Sequence, residues 1–228
     1  MERIPAAPLT LLLATRNLHK VSEIAAVLGG VARCLSLQGF PAAPPVVEDA
    51  TTFAGNAAKK AAELAAWLAA GPRGADAVNG VLADDSGLEV DALTGAPAVH
   101  SARFAALDQG GSANSPDADN NAKLLRLLAG VPPERRTARF RCALAFAPVR
   151  TDAARFIVAF DGTCEGRMEV APRGAHGFGY DPLFVPQGFS QTFAELGEEV
   201  KNGISHRARA LAKLSTWLNN AARQPCAA

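Results

Sequence analysis

Short apolar runs alternate with stretches of helical periodicity along this chain. Leu9 to Ala14, LTLLLA, predicts a buried strand. A polar turn follows, Thr15-Arg16-Asn17-Leu18-His19-Lys20. Val21, Ile24, Ala25 and Leu28 then recur at helical spacing, and Gly29-Gly30 stops that helix. Residues 39–52, with Pro41, Pro44 and Pro45, predict a loop. Thr52 to Ala70 predicts a long alanine-rich helix with Phe53, Ala57, Leu64, Trp67 and Leu68 on its apolar face, ended by Gly71-Pro72. An exposed loop is expected at 74–80. Val81 to Ala83 predicts a second short strand running straight into Asp84-Asp85-Ser86-Gly87, a combination that on its own reads as a turn.

Residues 108–118, rich in Gly, Ser, Asn, Asp and Pro, predict a mobile loop before a helix at roughly 118–129. Arg139 to Ala147 and Arg155 to Phe160 predict neighbouring strands joined by a turn. Residues 174–181 read as a glycine-rich loop. Ser205 predicts the N-cap of a final helix with Ala208, Leu211, Leu214 and Leu218 on one face. Strands alternating with helices, without internal repeat or long linker, argue for an α/β fold in one domain over residues 1–228.

Composition narrows the functional classes. Of 228 residues 49% are apolar and 20% charged, which suits a soluble domain with a sizeable core. The net charge of +1 gives no electrostatic case for nucleic acid spread over a broad face. An anionic ligand must instead be held by a local cluster. Cys34, Cys142, Cys164 and Cys226 form no CxxC pair and have no histidine at zinc-ligand spacing, so free thiols are expected. Met1 to Pro8 has no apolar run of signal-peptide length, and no stretch approaches the ~18 apolar residues of a membrane span. A soluble, intracellular protein is the expectation.

Four clusters carry candidate chemistry. Thr15, Asn17 and Lys20 sit where a strand feeds a helix, whose first N–H groups suit a phosphate. Lys20 is unfavourable there with the helix dipole unless an anion joins it. Glu48-Asp49 in the proline-rich loop and Asp84-Asp85 after a strand offer carboxylates from two distant segments, as a Mg²⁺ site needs, and one of them could serve as general base. Gly177-Phe178-Gly179-Tyr180-Asp181 suggests a backbone close to a flat ligand, with Phe178 to stack on a base and Asp181 to accept a ring N–H. In Lys201 to Arg207, His206 and Arg207 open a helix where positive charge is disfavoured, with no acid nearby in sequence, so a ligand is expected to supply the acceptor. On the residues alone, each cluster also reads as an ordinary turn or a solvated helix start. There is no GxxxxGK[ST] loop.

Together, ATRNLHKxxE, NAAKKA, ADDSGLEVDAL with GAPAVHSARF, GFGYDPLF and KNGISHRARAL, in this order over about residues 9–218, resemble the inosine triphosphate pyrophosphatase family. The resemblance implies an elongated α/β structure of two lobes around a mixed sheet, with a purine nucleotide in the cleft between them. It implies a homodimer, while the cytoplasmic location is expected from the lack of signal and membrane segments. It also implies Mg²⁺-assisted hydrolysis of non-canonical purine nucleotides (ITP, dITP, XTP) to monophosphate and pyrophosphate. Thr15, Arg16, Asn17, Leu18, His19 and Lys20 match the phosphate-binding turn, Glu48 and Asp85 the metal carboxylates, and Asp85 also the proton acceptor. Asp84 takes a supporting role and Ser86 a substrate contact. Phe178, Gly179, Tyr180 and Asp181 resemble the base pocket, and Lys201, His206 and Arg207 the residues that grip the base and read its keto group.

Two positions depart from the family pattern. Ala98 stands where GAPG is usual, and implies a strained turn if φ is positive there; His100 occupies a position that varies. A Maf-like pyrophosphatase is the rival among enzymes, and GFGYDPLF and ISHRARAL count against it. A nucleotide sensor without catalysis is a second rival, disfavoured by the presence of Glu48 and Asp85. A nucleic-acid binder is disfavoured by the near-zero charge and the absence of a basic stripe.

Overall fold

A computed structural model describes residues 9–71 and 78–223. The N-terminal stretch Met1 to Pro8, most of the loop predicted at 74–80, and Cys226 in the C-terminal tail lie outside these residues. One six-stranded mixed sheet in the order β2-β1-β3-β4-β5-β6 organises the chain. Its strands are β1 (Leu9–Leu13), β2 (Ala32–Ser36), β3 (Gly80–Val90), β4 (Thr137–Pro148), β5 (Val158–Met168) and β6 (Phe184–Pro186). The β1 strand pairs in parallel with β2 and β3, and the remaining neighbours are antiparallel. The helices are α1 (Leu18–Leu28), α2 (Phe53–Ala69), α3 (Asp117–Leu127), α4 (Phe193–Ile204) and α5 (His206–Arg223). The α/β class and the mixed sheet agree with expectation. Among the described residues, no helix is long and apolar enough to cross a membrane.

The apolar run of β1 is buried on both faces. Leu12 packs with α2, whereas Leu11 and Leu13 pack on the opposite face with α1 and α5. Each such leucine contributes about 1.5–3 kcal/mol of burial. A third cluster covers the far end of the long strands: Leu88 and Val90 of β3, Ala138 and Phe140 of β4, and Cys164 and Met168 of β5 pack there with α3, β6 and the start of α4. The strands β3, β4 and β5 therefore run through both halves of the molecule.

Several elements differ from the sequence expectation. Val81 to Ala83 does not end at a turn: β3 continues through Asp84-Asp85-Ser86-Gly87, paired with Leu144, Ala143, Cys142 and Arg141 of β4. Cross-strand pairing with a twelve-residue partner overrides the turn-prone composition. Gly87 is needed because a side chain there would strike Ser101 and the Ala98 carbonyl. β2 interrupts a stretch without clear alternation. The helix α4 is bent at Gly197 (φ 78°), and its Thr192-Glu195 capping box marks its start. Residues Arg155 and Phe156 belong to a short 3₁₀ turn, and β5 begins only at Val158. The predicted α1, α2 and α5 stand, with Asn17, Thr52 and Ser205 as side-chain caps.

Ala98 does adopt the left-handed conformation, φ 50°. A non-glycine residue there is strained by roughly 1–2 kcal/mol, and glycine would return part of that through its own chain entropy. Ala98→Gly is expected to raise the thermal midpoint by about 1–3 °C. Calorimetry showing no rise would mean that the turn carries no net strain.

Candidate active site

Consecutive residues of a strand point to opposite faces, and β3 applies this rule to its two aspartates. Asp84 faces α1 and α5, and Asp85 faces α2. Both are buried, at 2% and 7% exposure.

Asp84 is saturated. Its Oδ1 accepts from Lys20 Nζ at 2.6 Å and Ser86 Oγ at 3.0 Å, and its Oδ2 accepts from Arg207 Nε at 2.9 Å and Cys142 Sγ at 3.1 Å. Burial works against its charge, but Arg207 and Lys20 outweigh burial and hold its carboxyl well below the usual range. Arg207, 1% exposed, also donates through Nη1 to Glu23 and through Nη2 to Ser86. Glu23 pairs in turn with Lys201 at 2.8 Å, and Lys201 with Asp181 at 2.5 Å. Three acids, Asp84, Glu23 and Asp181, thus alternate with the cations Lys20, Arg207 and Lys201.

Four groups expected to meet a ligand find partners within the protein. The anion joining Lys20 is Asp84, and the acceptors for Arg207 are Asp84 and Glu23, supplied by distant parts of the chain. Asp181 Oδ2 is engaged by the Phe178 N–H and by Lys201. Burial raises the Asp181 carboxyl, with Lys201 opposing. The N–H groups of His19 and Lys20, expected to be open to a phosphate, are capped by Asn17 Oδ1.

On the opposite face, Asp85 Oδ2 accepts from Asn56 Nδ2 at 3.0 Å. Lys60 Nζ lies between two carboxylates, 3.2 Å from Glu48 Oε2 and 3.8 Å from Asp85 Oδ1, and donates to the Asp84 carbonyl. Burial raises the Asp85 carboxyl, and the Lys60 charge opposes it. Asp85 Oδ1 makes no hydrogen bond among the described residues. Two carboxylates flanking one ammonium suit a hard divalent cation that takes its other oxygens from phosphate and water. No group of three or more metal-ligating side chains stands together among the described residues.

Two adjoining cavities open onto these faces. One, of about 170 Å³, is lined by Phe140, Phe178, Tyr180, Lys201, His206 and Arg207. The other, about 560 Å³ and more polar, is lined by Thr15, Arg16, Glu48, Lys60, Asp85 and Arg103. They share Asn17, Lys20 and Ser86. Burial and the charges of Arg207 and Lys201 push the His206 imidazole well below its usual value, so it is neutral. It stacks on Phe140 at 4.8 Å, and its Nδ1 is buried without a partner among the described residues. Phe178 stacks on His19 at 5.2 Å. Leu18 is 58% exposed and lines neither cavity.

Several residues with evident roles are not singled out by the sequence reading. Glu23 joins Lys201 and Arg207 of the small cavity. Asn56 and Lys60, one helical turn apart in NAAKKA, share a face, and that spacing is a legible signal. Asp117 and Asn121, also one turn apart on α3, hold Gly179 from both sides. Asp117 Oδ2 accepts its N–H at 2.6 Å, and Asn121 Nδ2 donates to its carbonyl at 2.9 Å. Gly179 (φ 63°) thereby fixes the loop that carries Phe178.

Residues 11–217 match the model of the Ham1 family. A dITP/XTP pyrophosphatase of Opitutus terrae is 49% identical over 212 residues, covering 90% of this chain and 96% of that protein. A dITP/XTP pyrophosphatase of Geobacillus kaustophilus is 50% identical over 207 residues, covering 90% and 91%. Among solved structures, a HAM1 protein from Coxiella burnetii superposes with a TM-score of 0.76 at 34% identity, covering 93% of this chain and 99% of that one.

Proposed function

The chain belongs to the Ham1 family, and from that premise we propose that it hydrolyses dITP, ITP and XTP to the monophosphate and pyrophosphate. The observation that carries this reading is the pair of joined cavities. A small aromatic pocket suits a purine, a larger charged chamber suits a triphosphate, and Asn17, Lys20 and Ser86 line both. The α-phosphate then lies at the junction, next to the paired aspartates.

Glu48 and Asp85 would hold a Mg²⁺ ion, which neutralises charge on the phosphate oxygens when bound. Asp85 Oδ1, which accepts no hydrogen bond among the described residues, takes the proton of the attacking water. The water oxygen bonds to the α-phosphorus. The bond from that phosphorus to the bridging oxygen breaks, and its electron pair leaves with pyrophosphate. Lys60 orients both carboxylates, and Asn56 fixes the rotation of Asp85.

For the base, Phe178 supplies a stacking face once His19 yields it. Asp117 and Asn121 fix the loop, and the unpartnered His206 Nδ1 meets the base edge. Four hydrogen bonds, to Asp84 twice, Glu23 and Ser86, occupy Arg207, leaving one of its five N–H groups for the purine. A guanidinium only donates. It therefore favours a C6 oxygen over an adenine amino group, by about 1–3 kcal/mol. A single domain, a homodimer in the cytoplasm and no nucleic-acid partner complete the reading; the net charge of +1 supports the last.

The test is a product assay with ITP, ATP and GTP, with and without Mg²⁺, that resolves pyrophosphate from orthophosphate. Mg²⁺-dependent IMP and pyrophosphate from ITP, silenced by EDTA, is the expected result. Full activity in EDTA would remove the metal, and orthophosphate release would overturn the bond assigned.

A further inference from the structure

The larger cavity is lined by four cations, Arg16, Lys20, Lys60 and Arg103. Two of them already carry a carboxylate: Lys20 is bound to Asp84 at 2.6 Å, and Lys60 lies 3.2 Å from Glu48. Among the described residues, Arg16 reaches only the Ala43 carbonyl, at 3.4 Å. Arg103 has no hydrogen bond or ion pair among the described residues. A triphosphate brings several negative charges, and the lysines meet it with much of their charge spent.

The backbone that carries Arg103 is anchored on every side. Ser101 Oγ donates to the Ala98 carbonyl at 2.6 Å and accepts the Leu88 N–H at 2.9 Å. Tyr180 Oη donates to the Ser101 carbonyl at 2.8 Å, and Lys123 Nζ to the Phe104 carbonyl at 2.6 Å. Gly87 leaves room for this 3₁₀ turn (Ala98–Arg103) to lie against β3. A half-buried guanidinium without a partner thus stands on a fixed base, an arrangement pre-organised for an anion. Along the turn, Ser101 lines only the aromatic pocket, Ala102 lines both cavities, and Arg103 lines only the charged one. Arg103 therefore lies beyond the junction, on the side away from the base.

We propose that Arg103 binds the β- and γ-phosphates and holds the departing pyrophosphate. The assignment rests on the nucleotide reading above. A guanidinium fork matches phosphate oxygens two at a time, and its charge lies where negative charge builds on the leaving group.

The experiment compares wild type with Arg103→Gln and Arg103→Lys, measuring ITP hydrolysis in Mg²⁺ and its inhibition by pyrophosphate and, separately, by IMP. In Arg103→Gln, KM for ITP and the inhibition constant of pyrophosphate are expected to rise about tenfold or more, the size of one charge-assisted hydrogen bond. IMP inhibition is expected to stay within about twofold, since IMP has no β- or γ-phosphate to reach this residue. Arg103→Lys should recover part of the loss, and neither variant should melt lower than wild type. Unchanged pyrophosphate inhibition in Arg103→Gln overturns the assignment, as does an equal loss of IMP binding. A wild type that neither hydrolyses ITP nor binds pyrophosphate overturns the nucleotide reading itself, and this assignment with it.

Discussion

Asp85→Asn is expected to lower ITP turnover by about three orders of magnitude or more while the protein stays folded and still binds nucleotide. The side chains are nearly the same shape, and the amide oxygen can still accept from Asn56, so the fold has little to lose. The chemistry loses two things together. An amide does not take the proton from water at neutral pH, and it is a poor ligand for a hard cation. Lys60 also loses one of its two carboxylate neighbours. Single-turnover kinetics alongside calorimetric titration of a non-hydrolysable ITP analogue would separate the step from binding. Ordinary turnover in the variant would remove Asp85 from the mechanism.

The second large effect falls on stability. Arg207→Ala is expected to lower the free energy of unfolding by about 3–5 kcal/mol, because it leaves Asp84 and Glu23 buried without their shared partner. Arg207→Lys should recover little, since an ammonium has no fork to meet two carboxylates at once. Urea denaturation checks both. A loss under about 1 kcal/mol would mean that Lys20 and Lys201 carry those carboxylates alone. Because Arg207 favours a C6 oxygen over an amino group, the same substitution is also expected to narrow the preference for ITP over ATP, measured at temperatures where the variant is folded.

Legibility in the sequence follows the range of the interaction involved. The β1 run and the apolar faces of α1, α2 and α5 are local patterns, and they form where periodicity predicts. The continuation of β3 through Asp84 to Gly87 is not local, because it depends on pairing with residues 141–144. The cations at helix starts mislead for a similar reason. Local reasoning sees Arg207 without an acid, yet Glu23 and Asp84 lie 184 and 123 residues away in the chain and within hydrogen-bond reach in space. What the resemblance implies, a metal carboxylate pair and a base pocket, falls on residues that line two adjoining cavities, Glu48 and Asp85 in one and Phe178 in the other. The supports behind them, Lys60, Asn56, Asp117 and Asn121, come from helical spacings that carry meaning only once their targets are placed.

The alternation of β3 has a consequence for how this chain can vary. Asp84 and Asp85 are the same kind of residue, and which one meets Arg207 and which meets Asn56 depends only on counting from the start of the strand. Adding or removing one residue between Leu82 and Asp84 would preserve every side chain of the site and still turn each aspartate to the opposite face, sending the neighbouring apolar positions to the wrong faces as well. Odd and even are therefore inherited along with chemistry. Within this strand a change of length is a change of meaning.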